Sequence, residues 1–377
     1  MIRCLPPAVK GTPLTRGTCL LVLAGVLILT AGRLAAQDPP SVIVDAAFTG
    51  RDSTLIGGVP VFRTLGAALA ADPPGRTAPY VVRLRAGRYY EKLTVDKPAV
   101  HLVGEGRDVT VLTYDAASDT PRPEGGTYGT EGSFTLRISA PDFRAEHLTI
   151  ENGFDYMANL ARPADAPARF RNPQAVAVMT APGSDRAVFV DCRIWGHQDT
   201  LFADAGRHYF YRSIIGGSVD FIFGAGQAVF EACEIVSRDR DRRPWNGYVT
   251  AASTPMNEPY GFLFVDSRLV KEAPELAAGT VALGRPWHPR ATPTAFGSVV
   301  FVRCWMDDHV AAAGWQPMGS TDASGRRFEF RPENARFFEY GSTGPGAISS
   351  PTRRVLTDGE VRAYTPAQVL GGWTPVR

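Results

Sequence analysis

Three segments decide the fold: Phe189-Val190-Asp191-Cys192-Arg193-Ile194, Phe210-Tyr211-Arg212-Ser213-Ile214-Ile215 and Phe230-Glu231-Ala232-Cys233-Glu234-Ile235. Each has a phenylalanine, a small residue three positions later and an isoleucine two positions after that. The same register recurs in three further segments, which end at Ile150, Leu269 and Met306. The alternation at the end of each segment is typical of a short strand with one buried face.

The spacing of these segments predicts a solenoid. Their middle positions are 20 to 44 residues apart, which fits a coil of about 20 residues with insertions of varying length. Turns rich in Gly, Asp and Asn separate the strands, and little helical periodicity follows residue 81. We therefore predict an all-β fold, a parallel β-helix built from one chain. A β-sandwich is the alternative, although its strands would not need this recurring register.

A short helix is predicted ahead of the first coils. Apolar residues between Phe62 and Ala70 recur at helical spacing, and Thr64 is a suitable N-cap. We expect this helix to cap the open N-terminal end of the solenoid.

The cysteines do not indicate a disulfide framework. Beyond residues 1–36, the chain has Cys192, Cys233 and Cys304, an odd number. Stacked on alternate coils, Cys192 and Cys233 would lie roughly 9.5 Å apart, which exceeds the reach of a disulfide. We expect small interior residues here, with no metal site.

Residues 1–36 have the features of a signal peptide. Four basic residues and no acidic one accompany an apolar run over residues 19–31, which is shorter than the ~20 residues of a membrane span. Small residues before Gln37 offer a cleavage site, and the alternative is an uncleaved anchor. A cleaved signal peptide and an anchor both predict export, to the periplasm or outside the cell. After cleavage we expect no stable membrane association. We predict that residues 37–377 form one catalytic domain.

The charge pattern argues against nucleic-acid binding. Removal of the four positive charges of the leader takes the formal net charge from +2 to −2, and the remaining charges of both signs are interspersed. No basic patch is visible that would neutralise phosphates. We expect a monomer without a nucleic-acid partner.

Two aspartates lie 21 residues apart, which equals one repeat interval. Asp199 belongs to a polar cluster between two strand segments, and Asp220 follows Val219 one coil later. They should therefore project from equivalent places on neighbouring coils and face one another. Because an aromatic and aliphatic run follows Asp220, its charge needs a cation nearby.

Amide, guanidinium and indole groups accompany the two aspartates. Gln198 is adjacent to Asp199 and Gln174 lies about one coil upstream, so their amides could hold an oxyanion. Arg285 is the candidate cation for Asp220, and Trp287 offers a ring face to a sugar. Taken singly, each residue also has an ordinary structural explanation.

Taken together, these segments resemble the pectin methylesterase family. The matching motifs, in chain order, are Gln174-Ala175-Val176-Ala177, Gly196-His197-Gln198-Asp199-Thr200-Leu201, Asp220-Phe221-Ile222-Phe223-Gly224 and Leu283-Gly284-Arg285-Pro286-Trp287. Two more matches, over residues 87–91 and 339–346, extend the resemblance over nearly the whole mature chain. It implies a right-handed parallel β-helix with an open cleft. The implied enzyme is a carboxylic ester hydrolase that converts methylesterified galacturonan (pectin) to pectate and methanol.

The resemblance also implies a role for each site residue. Asp220 would attack the C6 ester carbonyl, while Asp199 would act first as general acid and then as general base, which requires a raised pKa. Gln174 and Gln198 would stabilise the oxyanion, and Arg285 would orient Asp220. Substrate-cleft residues would be Trp287, Phe202 and Phe223. No cofactor or metal is implied.

Several alternatives stay open at this stage. A relative with the same fold could act on another ester, such as an acyl thioester or a different esterified polymer. A β-helical glycosidase could also use two aspartates, although the Gln, Asp, Asp, Arg order disfavours it. A polysaccharide-binding solenoid without catalysis would require a change at a key position, and all five key positions are intact.

Two further motifs have simpler explanations. His197 has no serine or cysteine partner in view, so we expect a structural or subsite role. The glycines after Phe223 resemble a nucleotide-binding loop only superficially, because no helix follows. The sequence also lacks the Gly-x-Ser-x-Gly and His-Glu-x-x-His motifs of serine hydrolases and zinc proteases.

Overall fold

Each coil of the chain adds one strand to each of three sheets. The computed structural model describes residues 39–377, so the predicted signal peptide lies outside the described residues. Successive strands along the chain enter sheet 1, sheet 2 and sheet 3 in turn, and strands from consecutive coils pair in parallel. The predicted parallel β-helix is confirmed.

Sheet 1 is the longest sheet in the described part of the chain. Its strands, in spatial order, are Thr54–Ile56 (β2), Val59–Phe62 (β3), Val42–Val44 (β1), Tyr80–Leu84 (β4), Val100–Gly104 (β7), Arg144–Glu146 (β10), Ala187–Val190 (β13), Arg207–Tyr211 (β16), Gln227–Glu231 (β19), Phe262–Val265 (β22), Ser298–Val302 (β25) and Arg336–Tyr340 (β29). Only β2 and β3 pair antiparallel in this sheet as described.

Sheets 2 and 3 run beside sheet 1. The strands of sheet 2 are Trp305–Met306 (β26), Arg268–Lys271 (β23), Glu234–Ser237 (β20), Ile214–Gly217 (β17), Arg193–Trp195 (β14), Thr149–Asn152 (β11), Thr110–Tyr114 (β8) and Gly87–Tyr90 (β5). Those of sheet 3 are Val281–Gly284 (β24), Gly247–Ala252 (β21), Val219–Gly224 (β18), Leu201–Ala203 (β15), Val178–Thr180 (β12), Leu136–Ile138 (β9) and Leu93–Val95 (β6). A separate hairpin consists of Met318–Thr321 (β27) and Arg327–Phe330 (β28).

Stacked phenylalanines fill the interior, as the repeat pattern predicts. The rings of Phe189, Phe210 and Phe230 are fully buried and stack at 4.7 Å between centroids. Phe264 and Phe301 continue the column at 4.5 Å per step. The column aligns the coils, because a one-residue slip would turn each ring out of the core.

The small middle residues occupy the turn between sheets 1 and 2. Cys192, Cys233 and Cys304 are buried free thiols, and the Ser213 hydroxyl accepts a hydrogen bond from the Cys192 amide at 3.1 Å. The residue just before each middle position has a left-handed backbone with φ between 50° and 55°. These residues are His147, Asp191, Arg212, Ala232, Asp266 and Arg303. The turn is therefore sharp enough to redirect the chain within two residues.

The predicted N-terminal helix spans Leu65–Ala70 (α1), and the Thr64 hydroxyl accepts a hydrogen bond from the Ala67 amide. The Glu91 carboxylate accepts hydrogen bonds from the Leu65 and Gly66 amides, both at 2.8 Å. The remaining α-helices described are Gly129–Gly132 (α2), Tyr156–Ala161 (α3) and Pro366–Val369 (α4), and the 3-10 helices are Pro289–Ala291, Pro332–Asn334 and Glu360–Ala363. Over residues 39–377, no helix has the length and apolar character needed to cross a membrane.

Candidate active site

The two predicted aspartates lie on neighbouring coils in equivalent positions. Strand β15 pairs with β18 so that Leu201 faces Ile222 and Phe202 faces Phe223, an offset of one repeat interval. Asp199 precedes β15 by two residues, and its amide donates to the Val219 carbonyl at 3.0 Å. The coil spacing therefore brings the two carboxyl groups to the same end of sheet 3.

Both aspartates have left-handed backbones, with φ of 63° for Asp199 and 48° for Asp220. At Asp220 the pairing of β18 with β21 also shifts register between Val219 and Ile222. Such an irregularity re-aims a side chain out of the regular alternation. Because the coil turns share this conformation, the backbone alone does not identify the site.

Arg285 binds the Asp220 carboxylate with two parallel hydrogen bonds. Nε donates to Oδ1 at 2.8 Å and Nη2 donates to Oδ2 at 2.5 Å. The guanidinium lies over the ring of Tyr248, 4.0 Å from its centroid. This bidentate geometry holds the carboxylate as an anion and fixes its plane, which a lysine would not do.

Asp199 has the opposite electrostatic environment. The residue is 9% exposed, and no hydrogen bond from Arg285 reaches its carboxyl group. Burial raises the pKa of Asp199 well above its usual range, and the nearby charge of Asp220 raises the pKa further, while Arg285 opposes both effects. Asp199 therefore favours the protonated form beside an ionised Asp220.

All the residues predicted for the site line a single cleft of about 370 Å³. They are Gln174, Gln198, Asp199, Phe202, Asp220, Phe223, Arg285 and Trp287. The buried Oε1 atom of Gln174 has no hydrogen-bond partner among the described residues. The structure thus brings together all the residues predicted for the site, and their chemical roles stay predictions.

An apolar surface forms the floor of the cleft. The rings of Phe202 and Phe223 stack at 4.2 Å between centroids on adjacent strands of sheet 3. Trp287 packs against both in T-shaped arrangements, with centroid distances of 6.1 Å and 5.6 Å. The two phenylalanine rings face each other and are 3% exposed, whereas Trp287 is only partly buried and is the ring best placed to meet a sugar.

Some cleft residues were missed by the sequence analysis. Thr130 and Glu131 belong to α2 in an insertion between β8 and β9, Ala251 lies on β21, and Met318 begins the hairpin. Thr130, Glu131 and Met318 lie on segments outside the coil repeat. The sequence does show insertions over residues 114–135 and 238–260, which we expect to shape the cleft, and the first of them contains Thr130 and Glu131.

His197 is not among the residues that line the cleft. Its ring is buried and stacks on Tyr156 at 4.9 Å, and burial together with Arg238 and Arg240 lowers its pKa to about 3. A neutral, stacked imidazole fits the expected structural role.

One group of possible metal ligands occurs among the described residues, at Asp307, Asp308 and His309. None of the three lines the cleft. The Lys271 ammonium already lies 2.9 Å from Asp308 Oδ1, where a cation would bind.

Comparison with known proteins gives a consistent result. The family model described as Pectinesterase matches residues 56–372. Pectinesterase A of Dickeya dadantii (strain 3937) is 42% identical over 325 residues, which cover 83% of this chain and 88% of the relative. The solved pectin methylesterase from Yersinia enterocolitica is 42% identical, with a TM-score of 0.80, and the alignment covers 83% of this chain and 100% of that one.

A second solved structure, a pectin methylesterase in complex with a hexasaccharide, is 39% identical with a TM-score of 0.84. The alignment covers 90% of this chain and 99% of that one. The family match, the identity and the shared β-helix agree: the chain belongs to the pectinesterase family of carboxylic ester hydrolases.

Proposed function

We propose that this chain hydrolyses the C6 methyl esters of homogalacturonan, giving pectate and methanol, with Asp220 as the nucleophile. The observation that carries the proposal is the Asp220 carboxylate, held by Arg285 beside a buried Asp199 whose pKa is raised. One carboxyl group is thus paired with a cation, while the other is buried and favours its proton, as a nucleophile and a general acid require.

The first half-reaction forms an acyl-enzyme. Asp220 attacks the C6 carbonyl carbon, and the carbonyl electron pair moves onto oxygen to give a tetrahedral oxyanion. The side-chain amides of Gln174 and Gln198 line the cleft and donate hydrogen bonds to that oxygen. The oxyanion collapses, the C6–OCH₃ bond breaks, and Asp199 donates its proton to the leaving oxygen. Methanol leaves, and an anhydride joins Asp220 to C6.

The second half-reaction restores the enzyme. Asp199, now a carboxylate, removes a proton from a water molecule as the water attacks the anhydride at C6. A second oxyanion forms in the same place, and its collapse releases Asp220 as a carboxylate. The product is the free C6 acid, and Asp199 is again protonated. The Arg285 guanidinium pairs with the negative charge that returns to Asp220 as the anhydride breaks, which favours its departure.

The substrate assignment rests on the cleft floor and on the relatives. Trp287, packed on the stacked Phe202 and Phe223, offers an apolar surface suited to sugar rings. A pectin methylesterase with 39% identity has been solved in complex with a hexasaccharide. Methylesterified galacturonan is therefore the partner that we propose, for a monomeric enzyme. We further propose that residues 1–36 direct export and that residues 37–377 form the catalytic domain.

The experiment is a comparison of esters with the protein secreted from the full chain. Methanol released from highly methylated pectin is measured beside acetate released from acetylated galacturonan and thiol released from an acyl thioester. We expect methanol release to dominate. Faster hydrolysis of the acetyl ester or the thioester would instead identify a β-helical relative that acts on a non-pectin ester.

A further inference from the structure

The face of sheet 3 that forms the cleft floor continues beyond the cleft. The strand register pairs Phe202 with Met179, and Met179 in turn with Arg137. Neighbouring strands lie about 4.8 Å apart, so Arg137 is two strand spacings, ~9.6 Å, from Phe202. Successive partners in a parallel sheet point to the same side, and Arg137 therefore extends the surface on which Phe202 and Phe223 lie.

Arg137 is partly buried and lacks an anionic partner. Its Nε atom is buried without a hydrogen-bond partner among the described residues. Lys92, which immediately precedes β6, lies close enough for the charge of Arg137 to affect it, and its Nζ donates to the Phe134 carbonyl at 3.0 Å. Between residues 39 and 377, no carboxylate lies within ion-pair distance of either cation.

The Lys92 ammonium also lies over the Phe134 ring, so its contacts are aromatic and carbonyl groups. Two like charges without a carboxylate partner in a partly buried place destabilise the free protein. Burial and the charge of Arg137 lower the pKa of Lys92 to about 7. Other arginines of the solenoid have carboxylate partners, such as Arg88 with Glu151 at 2.5 Å and Arg186 with Asp142 at 2.7 Å. The Lys92 and Arg137 pair has no such partner, and an anion would compensate its charge.

We propose that Lys92 and Arg137 form a subsite for the free C6 carboxylate of a galacturonate residue in a partly de-esterified chain. A guanidinium binds a carboxylate through two parallel hydrogen bonds, and an adjacent ammonium adds a third donor. This inference rests on the proposed function, since the reaction there produces the same carboxylate. The shared sheet face favours a uronate of the bound chain over an unrelated anion.

The subsite predicts a preference between substrates. A chain with a free carboxylate over Arg137 binds more tightly than a fully methylesterified chain, which has only neutral esters to offer. The enzyme should therefore have a lower KM for partly de-esterified galacturonan at an equal concentration of methyl ester.

The test compares KM for methanol release from fully methylesterified and from partly de-esterified hexagalacturonides. In Lys92→Gln/Arg137→Gln we expect the ratio of the two KM values to shift about tenfold against the partly de-esterified substrate, the value of a lost charge-assisted hydrogen bond. Arg362→Gln, which removes an exposed charge in the 3-10 helix Glu360–Ala363, is the matched control and should leave the ratio unchanged. An unchanged ratio in the double variant would overturn the subsite, even if both KM values rose by the same factor.

Direct binding separates this inference from the proposed function. Unesterified hexagalacturonate, titrated calorimetrically, should bind the double variant about tenfold more weakly than the parent protein, whether or not methanol is released. Inorganic phosphate that binds as tightly as the uronate would show a general anion site and contradict the assignment. Without ligand, Arg137→Gln should unfold at a higher temperature than the parent, because an uncompensated charge is removed. A lower unfolding temperature would point to a structural role.

Discussion

Asp220 and Arg285 are 65 positions apart in the chain, yet Nε and Nη2 of the arginine meet the two carboxylate oxygens at 2.8 Å and 2.5 Å. Asp220 lies on β18, and Arg285 immediately follows β24, two strands away in sheet 3. The sheet thus fixes the distance between them, and the stacked Tyr248 ring supports the guanidinium from one side. The pair sets the charge of the proposed nucleophile before any substrate binds.

Arg285→Ala should be strongly destabilising as well as inactive. It leaves the Asp220 charge buried without a partner, and breaking a buried pair costs about 3–5 kcal/mol of unfolding free energy. Denaturant unfolding and methanol release measure the two effects. The Asp220→Asn/Arg285→Ala double variant should recover a large part of the stability, because no charge is left unpaired. A double variant as unstable as Arg285→Ala would show that the arginine acts through packing.

Asp199→Asn should lower activity and raise stability at neutral pH. The Asp199 carboxyl titrates at about 3.9 in the unfolded chain, whereas burial raises its pKa well above that value in the folded protein. The folded state therefore binds the proton more tightly. The contribution of the protonated Asp199 to the free energy of unfolding is complete below its pKa in the unfolded chain. That contribution is lost as pH rises through its pKa in the folded protein.

Unfolding measured from pH 4 upward should show the stability advantage of Asp199→Asn growing with pH. Methanol release by the parent protein should fall as pH rises through the pKa of Asp199, because the general acid is lost. An advantage independent of pH would argue that Asp199 is ionised in the folded protein.

Ala232→Gly should stabilise the solenoid. Ala232 is exposed and has φ of 53° in the turn between β19 and β20. A left-handed backbone costs an alanine about 1 kcal/mol, and glycine adopts it freely. Urea unfolding should show a gain of up to ~1 kcal/mol, while Ala232→Val should lower the stability. Equal stability of the glycine and valine variants would show that the left-handed backbone at residue 232 is not strained.

Trp287→Ala should weaken substrate binding more than catalysis. The indole belongs to the apolar floor but contacts neither proposed catalytic carboxylate among the contacts described. We expect KM for methylated pectin to rise about tenfold, in the range of one lost aromatic contact, and Trp287→Phe to be intermediate. A fall in kcat at constant KM would instead place Trp287 in the chemical step.

The repeat explains why so much was predictable from the sequence. The recurring phenylalanine and small residue define the coil, and an offset of one coil converts Asp199 and Asp220 into spatial neighbours. The same reasoning places Gln174 one coil earlier, since β12 pairs with β15. Pattern and family resemblance together were therefore sufficient for the fold and for the line of polar residues across sheet 3.

Residues on insertions could not be placed in the same way. Glu131 and Met318 reach the cleft from α2 and from the β27–β28 hairpin, whose lengths follow no repeat. The Lys92 and Arg137 pair also escaped the sequence analysis, because their isolation is a matter of which carboxylates lie nearby. Only the folded chain defines that neighbourhood.

The most direct test of the account is methanol release from highly methylated pectin by Asp220→Asn beside the parent protein. Circular dichroism and hexagalacturonate binding verify that the variant is folded and retains its cleft. The account predicts a loss in kcat of at least about 10³-fold, because an amide cannot form the anhydride. A folded Asp220→Asn protein that releases methanol at the parental rate would contradict the assignment of Asp220 as the nucleophile.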